Sequence, residues 1–141
     1  MAYEATVTWK EGIHFEGESA GHTVQMDGIP EAGGQGKGAS PMRLLLMSLG
    51  GCTGMDVISV LKKMRQDVTG LEIVVSGERA TEHPKVYTSL DILFRVRGHN
   101  IQLEMVEKAV ALSEEKYCSV GGMLKKAATL TTRIEIIEET A

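Results

Sequence analysis

From Ser40 to Asp56 the sequence reads Ser-Pro-Met-Arg-Leu-Leu-Leu-Met-Ser-Leu-Gly-Gly-Cys-Thr-Gly-Met-Asp. It opens like a helix, stays apolar on all sides for two turns and then passes three glycines that flank one cysteine. Ser40 suits the N-cap, where its hydroxyl accepts a bond from an orphan N–H of the first turn. Pro41 suits the first helical position, where its missing N–H costs nothing. Leu44, Leu45, Leu46, Met47 and Leu49 cover every direction around the axis, so the pattern predicts a buried helix and not an amphipathic one. Gly50, Gly51 and Gly54 each cost roughly 1 kcal/mol relative to alanine in a helix. A total of about 3 kcal/mol calls for a reason, either close approach of another backbone or a break in the helix. Both would give Cys52 a special environment.

The remaining chain reads as strands and shorter helices around this element. Residues 5–9 are β-branched and strand-like, 10–12 a turn, and 13–17 and 22–26 two further strands, which together make an antiparallel meander. Residues 27–38 hold six glycines and prolines and read as a flexible connector. Its end, Gly34-Gln-Gly-Lys-Gly38, fails as a phosphate loop, because glycine follows Lys37 and no strand leads directly into it. The main helix is predicted over 40–66 and becomes amphipathic after the glycines. Residues 71–80 form a strand and 81–85 a turn at Pro84. Residues 86–97 alternate, with Val86, Thr88, Leu90, Ile92, Phe94 and Val96 on one face. Asn100 is placed to cap a helix over 101–116, 117–122 interrupt it, 123–128 form a short helix, and 129–138 alternate as a last strand. The order β-β-β-α-β-β-α-(α)-β points to one α+β domain over residues 1–141. The long helix has more apolar surface than one small sheet covers, which predicts an obligate homodimer.

The chain has 141 residues and a net charge of −4, so nucleic acid is not expected as a partner. The longest apolar run, 44–49, is far too short to span a membrane. The first residues show no basic segment followed by an apolar block, and a cytoplasmic location is expected. There, two cysteines do not form a permanent structural disulfide and are either inert buried thiols or redox-active ones.

Cys52 and Cys118 lie 66 positions apart, each at a glycine-rich interruption. Free cysteine is commonly a small core residue. The alternative is a reactive thiol with a resolving partner. A peroxide-reducing thiolate attacks the O–O bond and becomes a sulfenic acid, which a second cysteine converts to a disulfide. Such a thiolate needs a positive neighbour or a helix N-terminus. Cys118, directly before Ser119 and a short helix, is placed for a lowered pKa.

Gly38-Ala-Ser-Pro41, the apolar helix, Gly51-Cys52 eleven positions after Pro41, and Lys116-Tyr-Cys-Ser-Val120 together resemble the OsmC/Ohr superfamily. The resemblance runs along essentially the whole chain. It implies antiparallel sheets around a long central buried helix, in an intertwined homodimer. It implies a thiol-dependent peroxidase that reduces small apolar organic hydroperoxides, in hydroperoxide resistance under oxidative stress. Cys52 is then the peroxidatic and Cys118 the resolving cysteine, joined in a Cys52–Cys118 disulfide. The implied reductant is an external thiol or lipoyl-type dithiol, with no bound cofactor. The family's typical peroxidases carry a glutamate after the proline, paired with an arginine of the first hairpin. Here Met42 and then Arg43 follow Pro41, and the hairpin carries Lys10, so the chain resembles an atypical branch.

Lys10 and Arg43 are the first candidates to activate the thiolate, with His14, Arg95 and Arg97 behind them. Ten residues from Met42 to Cys52 span about 15 Å on a straight helix, so neither Met42 nor Arg43 reaches its own Cys52 unless the helix breaks. Met42, Met55 and Tyr117 are candidates to line an apolar pocket. Asp56 lies one turn after Cys52 on the same helix face, as a surface or capping residue or as one that orients a cation. The four histidines show no metal spacing, so no metal is expected. The contrasting function is a non-catalytic redox sensor or a binder of a small apolar ligand.

Overall fold

The structure, a computed structural model, describes residues 2–140, and the described residues fall into two compact units that meet between Leu45 and Leu46 in sequence. In the first unit, strands β1 (Thr6–Glu11), β2 (His14–Ser19) and β3 (His22–Met26) form an antiparallel meander in that order. The β2–β3 turn places Ala20 and Gly21 both at positive φ, the geometry that matches the twist of the flanking strands. The following glycine-rich segment is more ordered than its composition predicts. The Asp27 carboxylate, almost fully buried, accepts backbone N–H bonds from Gly28, Gln35 and Lys37 at 2.7, 3.2 and 3.1 Å. A 3-10 turn, Pro30–Ala32, lies between these donors. The backbone donors of a phosphate cradle would have to include the N–H groups of Gln35 and Lys37, and here both serve a carboxylate.

Helix α1 (Pro41–Lys63) starts as its sequence dictates, with the Arg43 N–H donating to Ser40 Oγ at 3.3 Å. It ends three residues before the predicted boundary. Arg65 adopts a left-handed conformation, its N–H donates to the Lys62 carbonyl, and the Gln66 N–H donates to that of Leu61. The helix is unbroken, 23 residues long, and apolar enough to cross a membrane by length and composition, a property the core helix of a soluble protein shares. The sequence pattern, judged on 44–49 alone, underestimates that length. Only one stripe of α1, Leu49, Thr53, Val57 and Leu61, is buried. On the opposite stripe Met47 and Met55 are 58% and 74% exposed. Within one chain the helix is therefore not buried on all sides.

The glycines receive separate explanations. A Cβ on Gly54 would lie 2.8 Å from Ile73 Cδ1, and one on Gly50 3.2 Å from Val75 Cγ2, so these two let a neighbouring strand approach the helix. A Cβ on Gly51 would meet nothing within 4 Å.

That strand, β4 (Asp67–Arg79), pairs antiparallel with β5 (Tyr87–His99), and β6 (Thr129–Glu138) pairs with β5 on its other side. The β5–β6 pairing is parallel, which corrects the expectation of antiparallel sheets throughout. The reason is the connection. Helices α2 (Leu103–Leu112) and α3 (Ser119–Leu124) carry the chain back along the sheet, as a parallel pairing requires. Leu90, Ile92, Phe94 and Val96 of β5 are buried, as their alternation predicts. Nearer its start the faces exchange, and Tyr87 is buried while Val86 and Thr88 are exposed. Glu78 pairs with Ser89 but Arg79 with Tyr87, so β5 carries one extra residue there, a bulge that reverses the alternation. Asn100 is not the cap of α2. It takes a left-handed turn at φ 53°, and Gln102 holds the cap position.

Candidate functional site

Cys52 sits mid-helix on α1, half-buried, and Cys118 is 7% exposed at the N-cap of α3. Both are free thiols. A wide helical turn, Ser113–Tyr117, with i to i+5 bonding, links α2 to Cys118, and the Cys118 N–H donates to the Ser113 carbonyl at 2.7 Å. This turn brings the second thiol back to α1. The sulfurs of Cys52 and Cys118 and a carboxylate oxygen of Asp56 lie within 4.8 Å of one another.

Asp56 is held from below. Fully buried Ser113 donates its hydroxyl hydrogen to Asp56 Oδ2 at 3.0 Å. Its oxygen lies 2.7 Å from buried Thr53 Oγ1. With its one hydrogen committed to Asp56, Ser113 accepts from Thr53. The chain Thr53–Ser113–Asp56 thus fixes the carboxylate beside the two sulfurs. Asp56 is a member of the site, although its sequence position alone favours a surface or capping role.

The environment of Cys118 is opposite to the one its helix-cap position predicts. Burial pushes the thiol up to about 11. The hydrogen bond to Cys52 and the charges of Cys52 and Asp56 push the same way, against one N–H of Gly121, which donates to Sγ at 3.3 Å. A helix of six residues does not overcome this desolvation and negative surroundings. At neutral pH Cys118 is a protonated thiol.

Of the other sequence candidates in the second unit, none joins this cluster. Lys10 and His14 belong to the strands of the first unit, where His14 Nε2 pairs with Gln25 Oε1 at 2.6 Å. Met42 and Arg43 belong to the first turn of α1, and the break that would bring them to their own Cys52 does not occur. Arg95 is committed to Glu72 and Glu135 on the sheet face turned from the core, at 2.8 and 3.4 Å, and Arg97 shares that face. Met55 and Tyr117 are exposed, and the Lys116 ammonium sits 5.3 Å over the Tyr117 ring. The cation that lines the small cavity beside Cys118 is Lys125, whose Nζ donates to the Glu114 carbonyl at 3.1 Å. That cavity, walled by Leu49, Phe94 and Val110 among others, encloses about 10 Å³, room for a single water.

Thr53, Ser113 and Lys125 escape sequence reasoning. Each acts on a group 11 to 60 positions away, and no short-range spacing signals such a pairing. The same holds for the grouping of two thiols and a carboxylate. The expectation of no metal considered only the histidines.

Residues 34–133 match the model of the OsmC-like protein family. Protein YhfA of Escherichia coli K12 is 44% identical over 135 residues, covering 95% of this chain and 98% of that protein. A crystal structure of a hypothetical protein from Aquifex aeolicus VF5 superposes with a TM-score of 0.88 at 33% identity, covering 99% of each chain. An organic hydroperoxide resistance protein from Legionella pneumophila shares the fold at 14% identity, with a TM-score of 0.69, covering 96% of this chain and 97% of that one.

Proposed function

The chain belongs to the OsmC-like family, and from that membership and the paired thiols we propose that it is a thiol-dependent peroxidase acting on organic hydroperoxides. The observation that carries the reading is the approach of Cys52, Cys118 and Asp56 oxygen and sulfur atoms to within 4.8 Å. Cys52, the more exposed sulfur, attacks as the thiolate. It takes the distal oxygen of the hydroperoxide and becomes a sulfenic acid, while the alkoxide takes up a proton and leaves as an alcohol. Cys118 then attacks the Cys52 sulfenic sulfur. The S–O bond breaks, an S–S bond forms, and the hydroxyl leaves as water with the Cys118 proton. An external thiol or lipoyl-type dithiol restores both thiols by exchange. Asp56 is poised to relay the Cys118 proton to the leaving hydroxyl as that thiol attacks. The small cavity beside Cys118 admits no bulky molecule, so the substrate meets Cys52 from its exposed side.

A homodimer is part of the same proposal. Its support is the exposed stripe Met47, Gly51 and Met55 on α1, an apolar strip with a side-chain gap at its centre. A cytoplasmic location accords with two free thiols.

The test is consumption of cumene hydroperoxide with a dithiol reductant. Cys52→Ser abolishes turnover. Cys118→Ser leaves a first oxidation that stops, and Cys52 gains two oxygens by mass spectrometry. Wild-type turnover by Cys52→Ser refutes the proposal. The contrasting reading, a binder of a small apolar ligand, has one observation in its favour, a cleft of about 400 Å³ in the first unit lined by Val7, Ile13, Phe15 and Met26. It predicts that such a ligand raises the melting temperature of Cys52→Ser as much as that of wild type.

A further inference from the structure

Two cysteine sulfurs and a carboxylate oxygen converge here, with no fourth ligand of the same kind among the described residues. We propose that Cys52, Cys118 and Asp56 form a three-ligand site for a soft divalent cation, Zn²⁺, in the reduced protein. The inference stands on the same thiols as the peroxidase reading but on their geometry alone.

Zn–S bonds of about 2.3 Å and Zn–O bonds of about 2.1 Å in a tetrahedron place the ligand atoms about 3.6–3.8 Å apart. The three atoms already lie within 4.8 Å of one another, so they close on an ion with shifts of about 1 Å or less. Cys52 and Asp56 are held in register by one helical turn of α1. Cys118 is fixed as the N-cap of α3, with its N–H bonded to the Ser113 carbonyl. The hydroxyl of Ser113, itself anchored by Thr53, donates to the carboxylate, the kind of support that orients metal ligands elsewhere. Two thiolates exclude Mg²⁺ and Ca²⁺, which take oxygen ligands. Half-buried Cys52 leaves the fourth position to water, as in zinc sites that keep an open coordination place.

Binding exchanges the two thiol protons for one ion, with no change in oxidation state. Disulfide formation between the same sulfurs removes two of the three ligands. Ion binding and oxidation are therefore mutually exclusive states of one site.

The experiment uses the reduced full-length protein and Zn²⁺ alone, titrated against a chromophoric chelator, with Co²⁺ as the spectroscopic probe. One Zn²⁺ per chain is expected, with a thiolate-to-cobalt charge-transfer band in the near ultraviolet. Cys52→Ser, Cys118→Ser and Asp56→Asn each lower the affinity at least 100-fold, and Ser113→Ala lowers it 10–100-fold. Conversion of the wild type to the disulfide with diamide abolishes the cobalt band, a control that needs no variant to fold. Absence of the band in the reduced wild type, or its survival after diamide, overturns the site. Unchanged affinity in Asp56→Asn overturns the three-ligand assignment. No hydroperoxide enters these measurements, so failure of the peroxidase reading leaves their outcome unaffected, and the reverse also holds.

Discussion

Replacing Gly51 with leucine acts on the helix and on the proposed dimer in opposite directions. In the single chain a side chain at this position points into open space. Helix propensity then favours the variant by about 0.8 kcal/mol. A chain of 141 residues loses about 0.3 kcal/mol per degree at its midpoint, so the isolated chain should melt about 3 °C higher. In the proposed dimer, Gly51 would be the gap through which two backbones approach, flanked by Met47 and Met55 at 58% and 74% exposure. Covering each methionine stabilises association by about 1–2 kcal/mol. Four of them in a symmetric pair supply at least about 4 kcal/mol, which is about 1,000-fold in Kd. A leucine holds the helices apart and removes that cover. The assay is sedimentation velocity across a dilution series, paired with thermal unfolding at each concentration. The variant should be the more stable protein where both are monomers and the less stable where wild type is a dimer. A Gly51→Leu protein with the wild-type dimer constant places Gly51 outside any subunit contact. A loss of stability at high dilution shows that the outer face of α1 is not open, and the reasoning fails at its first step.

Ser113→Ala should destabilise the fold by about 1–3 kcal/mol, since it leaves the buried Thr53 hydroxyl and one bond of Asp56 without a partner, and Thr53→Val should recover part of that loss by urea unfolding. Burial alone would raise the Asp27 carboxyl, but the Gly28, Lys37 and Gln35 N–H groups outweigh it and hold it below the ordinary 3.8. The folded state therefore binds fewer protons than the unfolded one in acid. The contribution is fully present above the unfolded value and is lost as pH falls through 3.8 towards the folded value. Asp27→Asn should remove that part of the acid dependence in urea melts between about pH 5 and 2. Removing Cys52 takes away two of the causes that raise Cys118 but leaves burial, the largest. Thiolate absorbance of Cys52→Ser should accordingly titrate below 11 yet above 9.0, and a value under 9.0 would contradict the burial argument.

The element order was legible because each strand and helix carries its own period, and β3 and β6 fall on their predicted bounds. Ser40 and Pro41 start α1 by local chemistry that needs no distant partner. What was not legible depends on partners. The alternation of residues 129–138 states that a strand has two faces but not which way its neighbour runs, so the parallel β5–β6 pairing was missed. Alternation alone puts Tyr87 opposite the Leu90 face, and the bulge that turns it inward is a property of two strands. The apolar pattern on α1 predicts burial, although such surface only needs cover. At the site, the glycine-rich interruptions and the family resemblance link Cys52 with Cys118, and their spacing does not. The raised Cys118 pKa follows first from burial and then from Cys52 and Asp56, surroundings that only the tertiary structure supplies.

The wide turn at Ser113–Tyr117 has a consequence for how this chain can vary in length. Glu115, Lys116 and Tyr117 are exposed, so their side chains are open to exchange. Their number has a tolerance of one. A turn closed from i to i+5 holds one residue more than an α-helical turn, so five residues here fill the place that four take in ordinary helix. Deleting one residue among 115–117 converts the wide turn into ordinary helix and leaves Cys118 close to its present direction around the axis. Deleting a second turns everything after it by about 100° and carries the sulfur away from Cys52. Natural variation in this stretch should run to substitutions and to the loss of at most one residue.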